Sequence, residues 1–210
     1  MTSIITKKKN KFSSFCNYRI IKLAEKIPRK ILRELLLKHR CEERYILERK
    51  LFSIAKNHKR VLLVGCEHYN KNYPKMLNGS EVWSIDISEE SKEFGAKKHI
   101  VGSISDADKF FQKNYFDFIF MGGVLGFGLN NKKEADRALK NCFRIMKPDG
   151  FLLIWWNNVS GHNQVDPRSL PSFNLFSPIK FKKYNSGYMT KKGVVLEFLK
   201  KNVFAKHRNK

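Results

Sequence analysis

Residues 60–70 read RVLLVGCEHYN, in which a short apolar run ends in a glycine. The run VLLV has the composition of a buried β-strand, and Gly65 allows a tight turn directly after it. A nucleotide-binding loop usually carries further glycines just beyond that turn. Here the next four residues are Cys, Glu, His and Tyr. The stretch therefore predicts a strand and a tight turn whose following loop lacks the usual glycines.

Short apolar runs alternate with helical stretches from residue 60 onward. The predicted strands span 61–65, 82–87, 98–101, 116–121 and 151–156, and the predicted helices 69–78, 88–95, 105–114 and 131–146. This alternation, with strands rich in Val, Ile and Leu, is typical of a parallel sheet covered by helices. Two later runs, 180–184 and 194–199, are predicted to pair antiparallel at the end of the sheet.

The net charge of +23 is concentrated at the two ends of the chain. Residues 1–60 hold 18 basic and 5 acidic side chains, and residues 180–210 hold 10 and 1, whereas residues 61–179 hold 14 and 13. Basic ends favour an anionic partner, such as RNA, a phosphorylated substrate or an anionic membrane surface. The alternative is a Lys-rich composition that only solvates the surface.

Several classes of protein are disfavoured by what the sequence lacks. The cysteines are far apart without a CxxC pair, and the histidines have no metal-ligand spacing, so neither a metal site nor a disulfide framework is predicted. Reduced thiols favour a cytoplasmic location. No 18-residue apolar run or secretory signal is recognisable. The absence of GxxxxGK[ST] and GxGxxG motifs argues against an ATPase or a dehydrogenase.

Asp86 is the most informative single residue. It ends the second predicted strand, 21 positions after Gly65. In open α/β sheets, ligands bind beyond the carboxyl ends of the strands, and a carboxylate at this position can accept hydrogen bonds from ribose hydroxyls. The alternative is that Asp86 only caps the helix predicted to begin near Ser88.

The order of these features resembles that of the class I S-adenosylmethionine (SAM)-dependent methyltransferases. The glycine loop of that family is similar to VLLVG at 61–65, and its second-strand acid to WSID at 83–86. Its fourth strand is similar to FDFIF at 116–120, and its segment before strand five to residues 138–150. The likeness covers about residues 58–158, and GVLGFGLN at 123–130 resembles one subgroup.

The resemblance implies a fold and a set of domains. It implies an α/β protein with a Rossmann-like doubly wound sheet, mostly parallel with an antiparallel terminal strand, plus N-terminal helices. Residues 1–56 are predicted to form a basic helical extension or lid, and residues 57–210 the Rossmann-like domain. In the extension, apolar residues at helical spacing lie on both sides of Pro28.

The resemblance also implies SAM as the cofactor, and it assigns roles to individual residues. The methionine part would lie beside Gly65, Cys66 and Glu67, and the ribose beside Asp86. The adenine and the sulfonium would lie among Ile87, Ser103, Ile104, Met121 and Gly122. The chain departs from the family at Glu67 and Tyr69, which stand where the second and third loop glycines are expected. Ser103 stands where an acid often binds the adenine, and Asp106 is the alternative for that role.

The predicted reaction is methyl transfer to a small-molecule, glycan or lipid-linked acceptor. A hydroxyl acceptor benefits from a general base, for which His68 and His162 are weak candidates. One alternative is an RNA-directed methyltransferase that grips phosphates with its basic ends, and another is a non-catalytic methyltransferase-like scaffold. The predicted location is cytoplasmic, with peripheral contact to an anionic membrane surface as an option.

Overall fold

The computed structural model describes residues 28–159, 163 and 165–202. Strands and helices alternate through most of this region. The strands are β1 Arg60–Val64, β2 Glu81–Asp86, β3 Lys98–Val101, β4 Phe116–Gly122, β5 Met146–Asn157, β6 Phe176–Pro178, β7 Tyr188–Met189 and β8 Val194–Lys201. The α-helices are α1 Arg29–Arg40, α2 Glu42–Tyr45, α3 Phe52–Ala55, α4 Tyr73–Met76 and α5 Lys132–Ile145.

The strands form one sheet in the order β3-β2-β1-β4-β5-β8-β6, and β7 also pairs with β8. Strands β1 to β5 are parallel, and β8 is antiparallel to β5, β6 and β7. The predicted mostly parallel, doubly wound sheet with an antiparallel terminal strand is therefore confirmed. The chain reverses its direction of winding between β1 and β4, which is where such sheets bind ligands.

Each face of the sheet carries its own apolar core, because successive strand residues point to opposite faces. Leu62 and Ile119 lie in the core on the α5 side. Leu63 and Phe120 lie in the core on the other side, which is covered by the π-helical turn Ile46–Leu51 and by α3. Burial on both faces explains why the strands read as near-continuous apolar runs.

The prediction of a strand at 180–184 is wrong. That segment folds back on itself through a single bridge between Phe181 and Tyr184, with Lys182 in the left-handed region at φ +53°. The short edge strand β6 pairs with β8 instead and ends at Pro178. Proline is tolerated there because an edge strand has one unpaired side. The strand predicted at 194–199 is confirmed and extends to Lys201.

Most of the predicted crossover helices are much shorter than expected. The segment 69–78 holds only a 3₁₀ turn, His68–Asn70, and α4, while 88–95 and 105–114 fold as the 3₁₀ segments Glu90–Phe94 and Ile104–Lys109. Segments this short do not repay the nucleation of an α-helix, so tertiary contacts select tighter turns. The helix predicted at 131–146 is confirmed as α5, and the side chain of Asn131 caps it by accepting from the Glu134 N–H at 2.9 Å.

The N-terminal helices are described only in part. A basic helical extension is predicted over residues 1–56, but the residues before Pro28 lie outside the described chain. Two compact units divide between Tyr45 and Ile46, whereas the predicted boundary after residue 56 stays a prediction. On α1, the side chains of Ile31, Leu35 and Leu36 are exposed.

Glu81 ties together the amino ends of the strands. Its Oε2 accepts from Arg60 Nε at 3.2 Å, and its Oε1 accepts from Lys98 Nζ, from Trp83 Nε1 at 3.0 Å and from Tyr115 Oη at 3.3 Å. These residues belong to β1, β2, β3 and the approach to β4. The bond from Lys98, followed by that from Trp83, lowers the pKa of Glu81 to about 2.

We expect Glu81→Gln to make the fold less sensitive to acid. Because the folded-state pKa of Glu81 is lowered from 4.5, its carboxylate stabilises the fold above that value, and this stability is lost as the pH falls from 4.5 toward about 2. The substitution should lower the melting temperature by ~2–4 °C at pH 7. At pH 3 the difference in melting temperature between the variant and the unsubstituted protein should be smaller. Thermal melts followed by circular dichroism measure both differences, with Asp149→Asn, at an exposed position, as the control. An equal difference at both pH values would contradict this role.

Candidate functional site

A cavity of about 360 Å³ opens at the carboxyl ends of β1, β2 and β3, beside the segment that follows β4. It is the place that the winding of the sheet nominates for a ligand. Six residues of the predicted cofactor set line this cavity, namely Gly65, Glu67, Asp86, Ile87, Ser103 and Ile104. The sheet thus brings together side chains that are up to 39 positions apart in the sequence.

Three other residues of the predicted cofactor set do not line the cavity. Met121 is fully buried in the core and pairs with Val64 across the sheet. Gly122 lies at the end of β4, behind the turn at Gly65. Cys66 is also buried, and burial, as the largest cause, raises the pKa of its thiol to about 12. A thiol with that pKa is neutral at physiological pH and is therefore not a nucleophile.

Asp86 holds the first and second strand ends together. Its Oδ2 accepts from the Cys66 backbone N–H at 2.8 Å, and its Oδ1 accepts from the Ser88 backbone N–H at 2.9 Å. The carboxylate is half-buried and lines the cavity. Since each carboxylate oxygen can accept more than one hydrogen bond, Asp86 can hold the loop and still accept from a ligand. Both interpretations from the sequence, ligand acceptor and local cap, are compatible with this position.

The loop after Gly65 uses its own backbone donors. The N–H of Gly65 donates to the Ile85 carbonyl at 3.0 Å, and that of Glu67 donates to Asn70 Oδ1 at 2.9 Å. The amide of Asn70 in turn donates to the Gly65 carbonyl at 3.2 Å. Together with the bond from Cys66 to Asp86, these contacts occupy all three N–H groups of residues 65–67. Side chains, rather than extra glycines, therefore shape this loop.

The turn at Gly65 has no room for a side chain. Its φ is +85°, and an added Cβ would lie 2.8 Å from Val124 Cγ1 and 3.2 Å from the Gly122 carbonyl oxygen. Glycine is the residue that adopts this conformation without strain. The close approach brings the loop after β1 against the segment after β4, and both line the cavity.

The cavity is acidic, although the protein as a whole is strongly basic. Glu67, Asp86 and Glu90 contribute carboxylates to its wall. The described residues along this wall include no lysine, arginine or histidine. We call this site the acidic cavity. Its charge suits a cationic ligand and disfavours a ligand with several phosphates.

Part of the wall lies outside the predicted cofactor set. Val124, Phe127, Gly128 and Leu129 line the cavity from the loop after β4. This loop is closed by the Leu129 N–H, which donates to the Val124 carbonyl at 3.0 Å, and its glycines at 123, 126 and 128 have positive φ. The alternating glycines of GVLGFGLN were the available signal. Ser88, Glu90, Ser91 and Phe94 also line the cavity, and no motif marked them.

The candidates for an acid or base fall in different places. His68 does not line the cavity; its side chain is 77% exposed, and its ring lies 6.4 Å from that of Phe94, which does. His162 lies outside the described residues.

The two candidates for binding the adenine have partners within the protein. Asp106 does not line the cavity, and it pairs with Lys109 and Arg137, each at 3.2 Å. Ser103 accepts from the Ser105 N–H at 3.1 Å and so caps the segment Ile104–Lys109.

Two kinds of feature are absent from the described residues. No helix there has both the length and the apolar character needed to cross a membrane. In the same part of the chain, no group of three or more His, Cys, Asp or Glu side chains is placed to hold a metal ion.

The sequence is similar to known methyltransferases over the region that forms this cavity. Residues 62–154 match the family model described as a methyltransferase domain. Over 83 residues the chain is 39% identical to the ubiquinone/menaquinone biosynthesis C-methyltransferase UbiE of Yersinia enterocolitica, a match that covers 35% of this chain and 32% of that protein. The UbiE protein of Yersinia pestis matches to the same extent. The chain therefore spans about a third of the length of the curated relatives it matches.

Solved structures share the fold at low sequence identity. A TehB-like SAM-dependent methyltransferase from Corynebacterium glutamicum superposes with a TM-score of 0.56 at 18% identity, over 74% of this chain and 86% of that one. The N-methyltransferase NodS of Bradyrhizobium japonicum, solved with S-adenosyl-L-homocysteine, gives a TM-score of 0.58 at 15% identity. That superposition covers 76% of this chain and 85% of NodS.

Three observations point to the same similarity. The strand order places β1 and β4 at the centre of a mostly parallel sheet. Asp86 ends β2 beside the turn at Gly65, as the motif order in the sequence implies. The family match spans the region from β1 to β5. Over the region from β1 to β5 the chain is therefore similar to the class I S-adenosylmethionine-dependent methyltransferases.

Proposed function

We propose that this protein is a SAM-dependent methyltransferase that binds SAM in the acidic cavity and methylates a small molecule. The observation that carries the proposal is the set of three carboxylates, Glu67, Asp86 and Glu90, around a cavity without basic side chains among the described residues. SAM carries a sulfonium and an amino group against one carboxylate, so its net charge is positive. Charge complementarity of this kind favours SAM over anionic nucleotide cofactors.

The residues of the cavity suit SAM in size and chemistry. A volume of about 360 Å³ lies within the usual range for small-molecule sites, roughly 300–1,000 Å³. Asp86 offers carboxylate oxygens for the ribose hydroxyls. Ile87 and Ile104 offer apolar surface for the adenine, with Phe127 on the side of the loop after β4. Gly65 and Gly128 allow the backbone to approach a ligand closely.

The hydrogen bonds and the charge of the loop after Gly65 decide how the methionine part of SAM would be held. The N–H groups of residues 65–67 are bonded within the protein, so they offer little to the carboxylate of a bound methionine. Glu67 lines the cavity next to this loop and can instead bind the amino group. This loop would thus hold the cationic end of the amino acid rather than its carboxylate.

Bound SAM supplies an electrophilic methyl group on its sulfonium. The protein's contribution to such a reaction is mainly to hold the acceptor in line and to exclude water. Phe127 lines the cavity with a side chain that is 61% exposed, so it is placed to contact an acceptor as well. His68 stays a prediction as the general base.

A small molecule is the class of acceptor that the comparisons support. The relatives with 39% identity carry the name of a C-methyltransferase of ubiquinone/menaquinone biosynthesis, but the match covers only 32% of their length. We therefore assign the class of acceptor from this match and leave the compound open. Radiolabelled methyl transfer from SAM to extracted small molecules, compared with transfer to RNA, tests the class directly. Label found only in RNA would contradict a small-molecule acceptor.

We expect the carboxylates at the rim to distinguish SAM from its neutral-sulfur product, S-adenosyl-L-homocysteine. Replacing Glu67 and Glu90 by Gln removes two negative charges from the wall, and the sulfonium charge is the main difference between the two ligands. The double variant should weaken SAM binding by about threefold to tenfold more than binding of the product. Isothermal titration calorimetry with each ligand measures this ratio.

Glu93→Gln is the control for this change, because Glu93 lies in the same 3₁₀ segment as Glu90 and is likewise exposed, but it does not line the cavity. It should leave both affinities unchanged. If both ligands lose affinity equally in the double variant, the acidic wall does not act on the sulfonium. If the unsubstituted protein binds neither ligand at millimolar concentration, it is a scaffold and the proposal fails.

A further inference from the structure

We propose that a second cavity, on the outer side of α5, binds a phosphorylated small molecule with an apolar body. This cavity measures about 770 Å³ and lies among α5, the segment Ile104–Lys109, the loop before β4 and the end of β8. We call it the basic cavity. It shares no lining residue with the acidic cavity, so the proposal does not rest on the proposed methyltransferase activity.

The basic cavity is strongly cationic. Six basic and only two acidic side chains line it. The basic residues are Lys109, Lys113, Arg137, Lys140, Arg144 and Lys201. Arg137, Lys140 and Arg144 follow one another at helical spacing, so they form a stripe along one side of α5. A concave site lined by one sign of charge concentrates ligands of the opposite sign.

The two acidic side chains are already engaged within the protein. Asp106 Oδ1 pairs with both Lys109 and Arg137, at 3.2 Å each. Asp108 accepts from the buried amide of Asn141 at 3.2 Å. Among the described residues, Lys113 and Lys140 have no carboxylate within 4 Å. Two ammonium groups are therefore available to an anion, and lysine is a common phosphate ligand.

Other cations in the cavity are fixed in position. Lys201 Nζ donates to Asn114 Oδ1 at 2.8 Å and to the Met146 carbonyl at 2.6 Å. It also lies 4.6 Å from the centre of the Phe143 ring. Arg144 donates one of its five N–H groups to the Phe111 carbonyl at 3.1 Å. A ligand therefore meets charges that are already ordered, which reduces the entropy lost on binding.

The cavity also has an apolar part. Phe143, Pro148 and Leu175 line it, and Phe143 packs edge-on against Phe176 with 5.8 Å between ring centres. A site for a free inorganic anion needs no such surface, whereas a phosphate attached to an aromatic or aliphatic body uses both parts. The combination of ordered cations and apolar surface in a cavity of small-molecule size points to a phosphorylated amphiphile.

The experiment uses 1-naphthyl phosphate as the probe, with inorganic phosphate and uncharged 1-naphthol as its two halves. Titration calorimetry on the full chain should give the tightest binding for 1-naphthyl phosphate. The double variant Lys113→Glu/Lys140→Glu should weaken that binding at least about tenfold, since two charge-assisted contacts are replaced by repulsion. Neither lysine has a carboxylate partner among the described residues, so the fold should be retained, and a thermal melt checks this.

A matched charge change elsewhere separates this site from the general attraction of a protein with a net charge of +23. Lys97→Glu/Lys192→Glu alters two exposed lysines that do not line the basic cavity and should change the affinity by less than about twofold. An equal loss in both double variants would overturn the proposal, as would equal binding of 1-naphthol. A short single-stranded RNA that displaces the probe and binds more tightly would also overturn it, in favour of an RNA groove. Asp86→Ala should leave binding of the probe intact even if SAM binding fails.

Discussion

Asp86→Ala is expected to weaken SAM binding at least about 100-fold, because two charge-assisted hydrogen bonds to ribose hydroxyls are each worth roughly 1.5–3 kcal/mol. The carboxylate lies at the end of β2, lines the acidic cavity and also supplies one of its three negative charges. Its loss therefore removes both the ribose acceptor and part of the attraction for a cationic cofactor. Titration calorimetry with SAM measures the change.

The control must account for the structural role of the same carboxylate. Asp86 accepts the backbone N–H groups of Cys66 and Ser88, so alanine also leaves two donors without a partner. Asp86→Asn retains one carbonyl acceptor and removes the charge, and it should lie between the unsubstituted protein and Asp86→Ala. Asp149→Ala removes an exposed carboxylate outside the cavity and should leave the affinity unchanged. If SAM affinity survives in Asp86→Ala while the melting temperature falls, then Asp86 serves only the loop and the cofactor lies elsewhere.

The sheet could be predicted from the sequence because its strands are buried on both faces. Runs such as FDFIF in β4 carry apolar residues on both sides, and few other structures accommodate them. The edge of the sheet was harder to predict. The segment 180–184 holds two aromatic residues and looks like a strand, but its place beside β8 is taken by β6, whose pairing depends on contacts distant in sequence. Local propensity does not contain that information.

The residues of the candidate site were likewise predictable only in part. Gly65 and Asp86 were found because strand ends and turns have local signatures. Glu90 was not found, because only the fold brings its 3₁₀ segment to the cavity wall. Asn70 was likewise missed, although its side chain takes the N–H of Glu67 that an open glycine loop would offer to a ligand. Whether a side chain takes the place of a ligand as the acceptor for a backbone N–H depends on positions in space, and it leaves no pattern in the sequence.

The two cavities also show why counting charges along the sequence did not predict a charged site within residues 61–179. Residues 61–179 are nearly neutral, with 14 basic and 13 acidic side chains. Folding sorts these charges, so that three carboxylates surround one cavity and five of the six cations around the other come from the same segment. A neutral stretch can therefore hold two sites of opposite sign. Parts of the two basic ends, before Pro28 and after Asn202, lie outside the described residues, and RNA or membrane contact through these ends stays a prediction.

Gly65→Ala is expected to lower the free energy of unfolding by about 2–4 kcal/mol and to abolish SAM binding. A left-handed conformation costs an L-residue roughly 1–2 kcal/mol, and forcing a methyl group into a packed site costs roughly 1–3 kcal/mol more. The new Cβ would lie 2.8 Å from Val124 Cγ1 and 3.2 Å from the Gly122 carbonyl oxygen, and neither the β-branched side chain nor the backbone yields easily. Movement of either group shifts the wall of the acidic cavity. Denaturant unfolding and calorimetry measure the two effects.

Gly79→Ala separates the two costs, because Gly79 has a similar φ of +104° but its Cβ would meet only the Lys56 carbonyl oxygen at 3.4 Å. That variant should lose only about 1–2 kcal/mol and should retain SAM binding. Val124→Ala removes the nearer obstacle at Gly65, so in a double-mutant cycle it should recover at least about 1 kcal/mol of the loss in Gly65→Ala. The Gly122 carbonyl remains, so recovery should be partial. Equal losses for Gly65→Ala and Gly79→Ala would mean that the turn tolerates a side chain. The close contact between the loops after β1 and β4 would then not be what shapes the cavity.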